Sequence, residues 1–486
     1  MGSPLQETTK RSNGGRGRTQ ATLSSVTNDV EAALYEVRRK IHPRAVHGKF
    51  ATSRIALVVL TQLIFYGLPW LSWNGRPAVL FELAQRKFYI FGLVFWPQDF
   101  IFLTALLVIS AVALFLFTAI AGRLFCGYAC PQTVYTEIFL WVERWIEGDH
   151  MKRARLDRQS VDARKFALKS AKHAVWIAIA LWTGFTFVGY FTPIHTLGAE
   201  ALSWSLGPWE TFWILFYGFA TYGNAGWMRE QVCKYMCPYA RFQGVMVDSD
   251  TLVITYDRAR GEPRGARSRS ASARESGLGD CVNCNICVQV CPTGIDIRDG
   301  LQYECIGCGA CIDGCNQVMG KMGYAPGLIR YSTENALKRG LGTSGIVRRV
   351  LRVRTALYSV LFLIATAAFL SGLYLRSPIK VDVIRDRAAL ARDTRNGLVE
   401  NVFRLQIMNT GEAPRRFVVR ATGLESLAVA AKQPILVPAA STEAVVIALH
   451  VDPAVAKPGF HPIVLHVEDL DDPAIRADEK SKFYVR

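Results

Sequence analysis

Long uncharged stretches interrupt an otherwise polar and basic chain. A helix needs about twenty consecutive apolar residues to cross a bilayer, and several stretches reach or approach this length. One of them is interrupted by Asn224 and several glycines, and polar residues within a span usually face the interior of a bundle. We therefore predict a bundle of about five transmembrane helices, at Ile55–Trp73, Phe100–Ala121, Ala174–Phe191, about Thr211–Trp227 and Ala356–Leu375.

A shorter apolar stretch, Phe88–Trp96, lies between the first two predicted spans and has only nine residues. A helix of this length is too short to cross a bilayer. We therefore predict that the stretch is a re-entrant or interfacial segment on the outer side of the membrane.

Apolar and polar residues alternate in short runs over residues 377–486. Alternation with a period of two, broken by turn sequences, is typical of half-buried strands. About seven short strands over such a length predict an immunoglobulin-like β-sandwich, here without a disulfide because the segment has no cysteine. The predicted strands include Val402–Met408, Phe417–Arg420, Ala444–Val451 and Pro462–Val467, with turns at Asn409–Gly411, Lys457–Gly459 and Asp471–Pro473.

The net charge of +17 raises the question of nucleic-acid binding. Residues 376–486 carry 16 Lys/Arg and 14 Asp/Glu, so nearly all of the excess positive charge lies around the apolar stretches. The segment Arg123–Lys172 has ten Lys/Arg, whereas Thr192–Glu210 has none. Basic loops mark the cytoplasmic side of a membrane protein. We therefore predict a bacterial inner-membrane protein with a cytosolic amino terminus, a periplasmic carboxyl terminus and no nucleic-acid partner.

Eight of the twelve cysteines lie within Asp280–Asn316, in two copies of the motif C-x2-C-x2-C-x3-C. Bacterial two-cluster ferredoxins have this spacing, and the fourth cysteine of each run binds the other cluster. Disulfides or structural zinc are the alternatives, but zinc sites usually take four ligands from two C-x-x-C pairs. We therefore predict two 4Fe–4S clusters, the first held by Cys281, Cys284, Cys287 and Cys315 and the second by Cys305, Cys308, Cys311 and Cys291.

The other four cysteines form two Cys-x-x-x-Cys-Pro motifs, each of which follows an even-numbered predicted span. The i, i+4 spacing places two thiols on one face of a helix, and the proline disfavours its continuation. Small buried hydrophobes are the alternative, but two matched copies favour a redox or metal site, suited to Cu(I), zinc or an iron–sulfur cluster. The predicted catalytic and metal-binding residues are Cys126 and Cys130 before Pro131, and Cys233 and Cys237 before Pro238.

These features divide the chain into five predicted parts. Met1 to about Glu31 is polar and too poor in apolar residues to bury a core, so we predict disorder there, and the basic run Arg38–Arg54 that follows flanks the first span. A Gly/Ser/Arg-rich linker, Arg258–Ser276, leads into the cysteine-rich stretch. The parts are a disordered, basic cytosolic segment (1–54), a four-span membrane region (55–238), a cytosolic linker and two-cluster ferredoxin domain (239–354, core 275–325), a fifth span (355–376) and a periplasmic sandwich (377–486).

Four further segments are typical of one family: Ala225–Gln243, Asp250–Asp257, Arg260–Gly265 and Gly327–Ser332. Together with the cysteine motifs they resemble the cytochrome c oxidase accessory protein family CcoG, also called FixG or RdxA, over nearly the whole chain after the amino-terminal tail. The resemblance implies a bacterial inner-membrane iron–sulfur protein that reduces Cu(II) to Cu(I) for assembly of a cbb-type oxidase. It also implies that the eight clustered cysteines bind the clusters and that the four others form the second site.

The expected partners are the membrane, a copper ion, an acidic cytosolic electron donor attracted by the Arg-rich linkers, and oxidase assembly factors; a homo-oligomer is compatible with the sequence. Two other functions remain open. One is an electron relay between a cytosolic donor and quinol or a periplasmic acceptor, and the other is a non-redox assembly scaffold. The sequence has no Gly-rich dinucleotide fingerprint and no Cys-x-x-Cys-His haem motif.

Overall fold

The computed structural model describes residues 40–268, 277–386 and 389–486, and residues 43–486 form one unit. The disorder predicted for most of the amino-terminal segment, and the last eight residues of the Arg258–Ser276 linker, lie outside the described residues. The helices are, in chain order, α1 (Lys49–Gly67), α2 (Phe100–Ala121), α3 (Leu124–Tyr128), α4 (Pro131–Glu147), α5 (His150–Arg158), α6 (Ala163–Val188), α7 (Ile194–Leu202), α8 (Pro208–Thr221), α9 (Pro238–Met246), α10 (Arg258–Gly261), α11 (Ile286–Gln289), α12 (Ala310–Met322), α13 (Glu334–Lys338), α14 (Thr343–Val350) and α15 (Val353–Tyr374).

Four of the helices in the described part of the chain are long and apolar enough to cross a membrane: α1, α2, α6 and α15. The fourth predicted span, about Thr211–Trp227, is not among them. Helix α8 has 14 residues and continues as a π-helical segment, Tyr222–Met228, in the region that contains Asn224 and two glycines. Helix α8 nevertheless packs tightly on α6, because a Cβ atom on Gly184 would lie 2.2 Å from the carbonyl oxygen of Ile214.

The strands fall into small sheets within the first 332 residues and two larger sheets after residue 378. The early strands are β1 (Ser72–Trp73), β2 (Arg76–Pro77), β3 (Val79–Glu82), β4 (Lys87–Ile90), β5 (Leu93–Phe95), β6 (Val253–Tyr256) and β7 (Ile329–Ser332). The later strands are β8 (Ile379–Arg385), β9 (Arg392–Asp393), β10 (Val399–Asn409), β11 (Arg415–Thr422), β12 (Ala428–Ala430), β13 (Ile435–Val437), β14 (Thr442–Val451), β15 (Gly459–Asp469) and β16 (Arg476–Val485).

The carboxyl-terminal strands confirm the predicted immunoglobulin-like sandwich, with nine strands in the described part where about seven were expected. One antiparallel sheet has the order β12-β14-β10-β8, with β9 also paired to β10, and the other has the order β13-β11-β15-β16. The two inner faces meet in a core that contains the fully buried rings of Phe403, Phe417 and Phe483. Buried and more exposed side chains alternate along β15, which matches the alternation of apolar and polar residues in the sequence.

The stretch Phe88–Trp96, predicted as a re-entrant or interfacial segment, forms strands, so the re-entrant alternative is wrong. Strands β3, β4 and β5 make an antiparallel sheet of three strands. The buried Tyr89, Val94 and Trp96 on this sheet pack against Met408 of the sandwich. The apolar residues therefore cover one face of a small sheet that docks on the sandwich.

Helices α2 and α15 connect this sandwich region to the cysteine-rich region. The rings of Phe102 and Phe369 are in contact, with 6.1 Å between their centroids. Helix α2 begins beside the sandwich, where Asp99 pairs with Arg376 at 2.6 Å. It ends at Ala121, and the backbone N–H of Leu252, which directly precedes β6, donates to Ile120 at that end. We call the two ends of the helices the sandwich end and the cluster end.

Asp99 is a buried anchor at the sandwich end. Its carboxylate accepts hydrogen bonds from the backbone N–H of Trp96 and the guanidinium of Arg376, and it also pairs with Lys380. The side chain of Asp99 is 2% exposed, so these charges are largely shielded from water. The carboxylate joins the start of α2 to the segment that leads into β8.

Replacing this anchor is expected to loosen the sandwich. Removing one partner of a buried ion pair costs about 3–5 kcal/mol, because the remaining charge stays buried without compensation. We expect Asp99→Asn to lower the thermal unfolding midpoint and to expose the segment around Ser377 to limited proteolysis. Asp382→Asn is the matched control, since the hydrogen bond that Asp382 accepts from Gln98 is exposed. Equal proteolysis of the two variants would contradict the anchoring role.

Candidate functional site: two cysteine sets and a four-thiol group

Two helices, α11 and α12, begin within the cysteine-rich stretch. Helix α11 follows Asn285, and α12 follows Gly309, and both of these preceding residues have left-handed backbone angles, with φ of 55° and 73°. Each turn places a helix start inside a C-x2-C-x2-C-x3-C motif. All eight cysteines of this stretch are free thiols.

The structure brings these eight thiols into the two sets that the motif spacing predicted. Cys315 interacts electrostatically with Cys281, Cys284 and Cys287, which we call the first set. The second set is centred on Cys311, and its other members are Cys291, Cys305 and Cys308. Each set combines three cysteines of one run with the fourth cysteine of the other.

Burial and the repulsion of neighbouring thiols oppose ionisation of Cys287 and Cys315 in the absence of a bound cation. Burial is the main cause that raises the pKa of Cys315 to about 12 and that of Cys287 to about 11. The neighbouring thiols of the same set add to both shifts. A metal ligand must be a thiolate, so a bound group that carries positively charged iron fits each set.

A small cavity provides further evidence that the second set fits a cluster. It is lined by the four thiols of that set, by Cys287 of the first set and by apolar side chains such as Ile306. Within the described residues, no three His, Cys, Asp or Glu side chains converge as the ligands of a single ion would. Spread thiols around an apolar cavity suit a multi-iron group, and the two sets would each hold a 4Fe–4S cluster, which supplies one-electron storage.

The other four cysteines also come together, although they derive from segments a hundred residues apart. Cys126 interacts electrostatically with Cys130, Cys233 and Cys237. We call these four residues the thiol group. Burial is the largest of the effects that raise the pKa of Cys126 to about 12 and that of Cys233 to about 11. A soft cation would offset this cost of ionisation.

The local geometry of the thiol group differs from the predicted helix face. Cys126 lies in α3 and Cys233 in a π-helical segment, Val232–Met236, whereas Cys130 and Cys237 have extended backbones. The cause is the proline after each second cysteine, which disfavours a helical conformation for the residue before it. Each second cysteine instead precedes a new helix, and backbone N–H groups of Gln132 and Thr133 donate to the Cys130 thiol.

The first Cys-x-x-x-Cys motif lies against the loop of the second set, where Cys126 packs beside the apolar cluster that contains Cys308. Gly127 lies between the two cysteines of the first Cys-x-x-x-Cys motif, and a Cβ atom there would lie 2.8 Å from the carbonyl oxygen of Gly307. The same Cβ would lie 2.9 Å from the Cα atom of Cys308. The two backbones therefore touch at a position where only glycine fits.

Arg123 lies where the two sites meet. Its guanidinium donates to the carbonyl oxygens of Ala240 and Cys305, at 2.6 and 3.5 Å. Its positive charge lowers the pKa of Cys126, Cys233 and Cys305 against the larger effect of burial. Arg123 therefore stabilises negative charge on both sites.

A buried network of ion pairs lies next to the two segments that carry the thiol group. Glu143 on α4 contacts Arg229 at 2.6 Å, Arg153 at 2.8 Å and Lys172 at 3.8 Å. Because α4 starts one residue after Cys130, and Arg229 lies four residues before Cys233, this network joins the two motifs. Roles for Arg123, Gly127, Glu143 and Arg229 were not predicted from the sequence. The amphipathic pattern of α4 was a usable signal for Glu143 only.

Three family models match the chain. A 4Fe–4S dicluster domain matches residues 228–334, and a 4Fe–4S binding domain matches residues 103–148. The IG-like fold at the C-terminal of FixG matches residues 369–486. The dicluster match contains both predicted cluster sets. The match to residues 103–148 contains two of the twelve cysteines, Cys126 and Cys130.

Curated relatives match over most of the chain. Protein RdxA of Cereibacter sphaeroides is 40% identical over 404 residues, which are 81% of this chain and 84% of the relative. Nitrogen fixation protein FixG of Rhizobium meliloti is 39% identical and covers 78% of each chain. Ferredoxin-type protein NapH of Haemophilus influenzae is 24% identical over 43% of this chain and 66% of its own. The chain thus belongs to the family of FixG and RdxA, and it is an iron–sulfur electron-transfer protein with helices suited to a membrane.

Proposed function

We propose that this protein reduces Cu(II) to Cu(I) at the thiol group and thereby supplies Cu(I) for assembly of a cbb-type cytochrome c oxidase. The observation that carries the proposal is the close backbone approach between Gly127, which lies between Cys126 and Cys130, and the Gly307–Cys308 segment of the second set. Cys126 also packs against the apolar cluster that contains Cys308, so an electron held at the second set is close to the thiol group. Copper is the substrate in this proposal, and the eight other cysteines hold the resident clusters.

The chemistry of the thiol group favours the reduced form of copper. Thiolates are soft ligands that select Cu(I) over harder ions. In each turnover one Cu(II) ion gains one electron from the reduced protein and leaves as Cu(I), with no bond formed to carbon or oxygen. The thiol group is partly buried.

The proposed orientation places the cluster end in the bacterial cytosol and the sandwich in the periplasm. The ten Lys/Arg between Arg123 and Lys172 support this orientation, because basic segments stay on the cytoplasmic side. A cytosolic donor would deliver electrons to the cysteine-rich region. The sandwich is the surface that we assign to oxidase assembly factors.

A copper-reduction assay tests the proposal. Full-length protein with both clusters is reduced with dithionite, freed of excess reductant and mixed with Cu(II) and a Cu(I)-specific chelator. We expect Cys126→Ala/Cys233→Ala to lower Cu(I) formation at least about ten-fold, because two of the four soft ligands are lost. Val245→Ala is the control, since Val245 is 88% exposed on the neighbouring helix α9.

The same variants separate the proposal from a scaffold role. Wild-type rates of Cu(I) formation in the double cysteine variant would show that copper is not reduced at the thiol group. Normal oxidase assembly in cells that carry Cys305→Ala/Cys308→Ala would show that the protein acts without its second cluster. The second result would favour the non-redox scaffold.

A further inference from the structure

A cavity of about 550 Å³ lies at the cluster end and has no role in the proposed copper chemistry. One wall is the end of α2, at Ala121 and Gly122. The opposite wall is the loop of the second set, from Gln302 to Gly307, which includes Cys305. The volume lies within the range of about 300–1,000 Å³ that is usual for small-molecule sites.

The position of the cavity links the membrane to the second set. Helix α2 is one of the helices suited to cross the membrane, so its end marks the membrane surface. Leu301 and Tyr303 line the cavity and are 55% and 40% exposed, which gives it an apolar rim. A ligand that enters at this apolar rim would reach Cys305, a predicted cluster ligand that also lines the cavity.

The lining favours a neutral, planar and partly polar ligand. Most of the wall is apolar, and it also carries three tyrosine rings, Tyr256, Tyr303 and Tyr331. Among the lining residues Arg123 is the cation, whereas Asp248 and Glu334 are acidic. This balance disfavours the phosphates of a nucleotide cofactor. Arg123 and Tyr303 carry hydrogen-bond donors for ring oxygens.

We propose that this cavity binds a membrane quinol and is an entry site for electrons. The inference of binding stands on the cavity alone, and the direction of electron flow rests on the proposed function. Quinols combine a planar ring, two oxygens and an apolar tail, which matches the wall, its donors and the membrane-facing rim. The site is separate from the thiol group, since no cysteine of that group lines the cavity.

The electrons and protons released by quinol oxidation have acceptors among the predicted clusters and the solvent. Oxidation of one quinol to quinone breaks two O–H bonds and releases two electrons and two protons. The electrons reduce the two 4Fe–4S centres by one electron each, the second set being adjacent through Cys305. The protons leave to water past the carboxylate of Glu334, which lines the cavity and is exposed to solvent.

Photolabelling with an azido-substituted short-chain ubiquinone tests the location in full-length protein. We expect label on peptides that contain Gly244–Thr255 or Gly300–Gly307, with loss of label in excess decylubiquinone. Leu301→Trp would narrow the exposed rim and weaken labelling at least about ten-fold, because the apolar entry is blocked. Leu351→Trp is the matched control, since Leu351 is 69% exposed outside the cavity. Label confined to other segments would overturn the site.

Anaerobic addition of decylubiquinol to the oxidised protein tests the electron flow. We expect bleaching of the cluster absorbance in wild type and in Leu351→Trp, and a rate at least about ten-fold lower in Leu301→Trp. Dithionite should bleach all three proteins equally, which shows that their clusters are intact. If the azido-ubiquinone labels the cavity but decylubiquinol does not bleach the cluster absorbance, the proposed role as an electron entry site is overturned. If dithionite-reduced protein still forms Cu(I) in that case, the proposed copper reduction survives on its own.

Discussion

Gly127→Ala is expected to slow the reduction of Cu(II) by dithionite-reduced protein at least about ten-fold, since a misplacement of about 1 Å can cost on the order of a hundred-fold in rate. The added Cβ would lie 2.8 Å from the carbonyl oxygen of Gly307 and 2.9 Å from the Cα atom of Cys308. Both are backbone atoms that cannot rotate away. The thiol group and the second set must therefore move apart. Stopped-flow absorbance, with a Cu(I)-specific chelator present, measures the rate.

The same substitution has a consequence that does not depend on copper. Overpacking of a close contact typically costs about 1–3 kcal/mol, so Gly127→Ala should also lower the thermal unfolding midpoint. Gly320→Ala is the matched control, because Gly320 lies on α12 and a Cβ atom there meets nothing within 4 Å. This control should gain up to about 1 kcal/mol from better helix propensity. Wild-type rates and stability in Gly127→Ala would refute the contact.

The two cysteine sets could be predicted from sequence because their determinants are local. Three of the four ligands in each set lie within seven residues of one another, and the fourth is fixed by the turn that leads to the other motif. The thiol group also followed from a repeated motif. Its backbone geometry did not, although the prolines at 131 and 238 carried the signal.

The contact between Gly127 and Gly307 could not be predicted in this way, since the two glycines are 180 residues apart. A glycine in a sequence shows that a side chain is absent and does not identify the surface that it approaches. The strands at Phe88–Trp96 were misread for another reason. A short apolar stretch does not distinguish a strand from a membrane-inserted segment, and only its packing against Met408 decides between them.

The other large effect is expected at Glu143. We expect Glu143→Gln to lower the free energy of unfolding by about 3–5 kcal/mol, the usual cost of removing one partner from a buried ion network. The Glu143 carboxylate is fully buried, and its partners Arg229 and Arg153 are almost fully buried. In the variant these cations stay in the interior without a compensating charge. Chemical unfolding followed by fluorescence, at fixed detergent and cluster content, measures the change.

Disruption of this network should also change the position of Cys233 in the thiol group. Arg229 contacts Glu143 at 2.6 Å and has a left-handed backbone, with φ of 43°, four residues before Cys233. A non-glycine residue holds such a conformation only where its surroundings fix it. Without Glu143, the segment that positions Cys233 loses this restraint. We therefore expect slower Cu(I) formation in Glu143→Gln even under conditions in which the variant is folded.

The pH dependence of stability gives a separate signature of the network. Burial alone would raise the pKa of Glu143, but Arg229, Lys172 and Arg153 lower it to about 2. The folded-state pKa is thus below the ordinary value of 4.5. The stabilisation by ionised Glu143 is therefore fully present above pH 4.5 and is lost as the pH falls towards 2. The stability difference between wild type and Glu143→Gln should shrink over this interval.

Glu334→Gln provides the control for the two stability measurements, the free energy of unfolding and its pH dependence. Glu334 also pairs with a cation, Lys338 at 2.6 Å, but both side chains are more than half exposed. Exposed pairs contribute about 0–1 kcal/mol, so this variant should unfold almost as wild type does at pH 7. If Glu143→Gln were no less stable than Glu334→Gln, the buried cations would not depend on Glu143. The two cysteine motifs would then be held together by the buried apolar cluster of Phe139, Trp176 and Ala225, in which the rings of Phe139 and Trp176 stack at 5.0 Å.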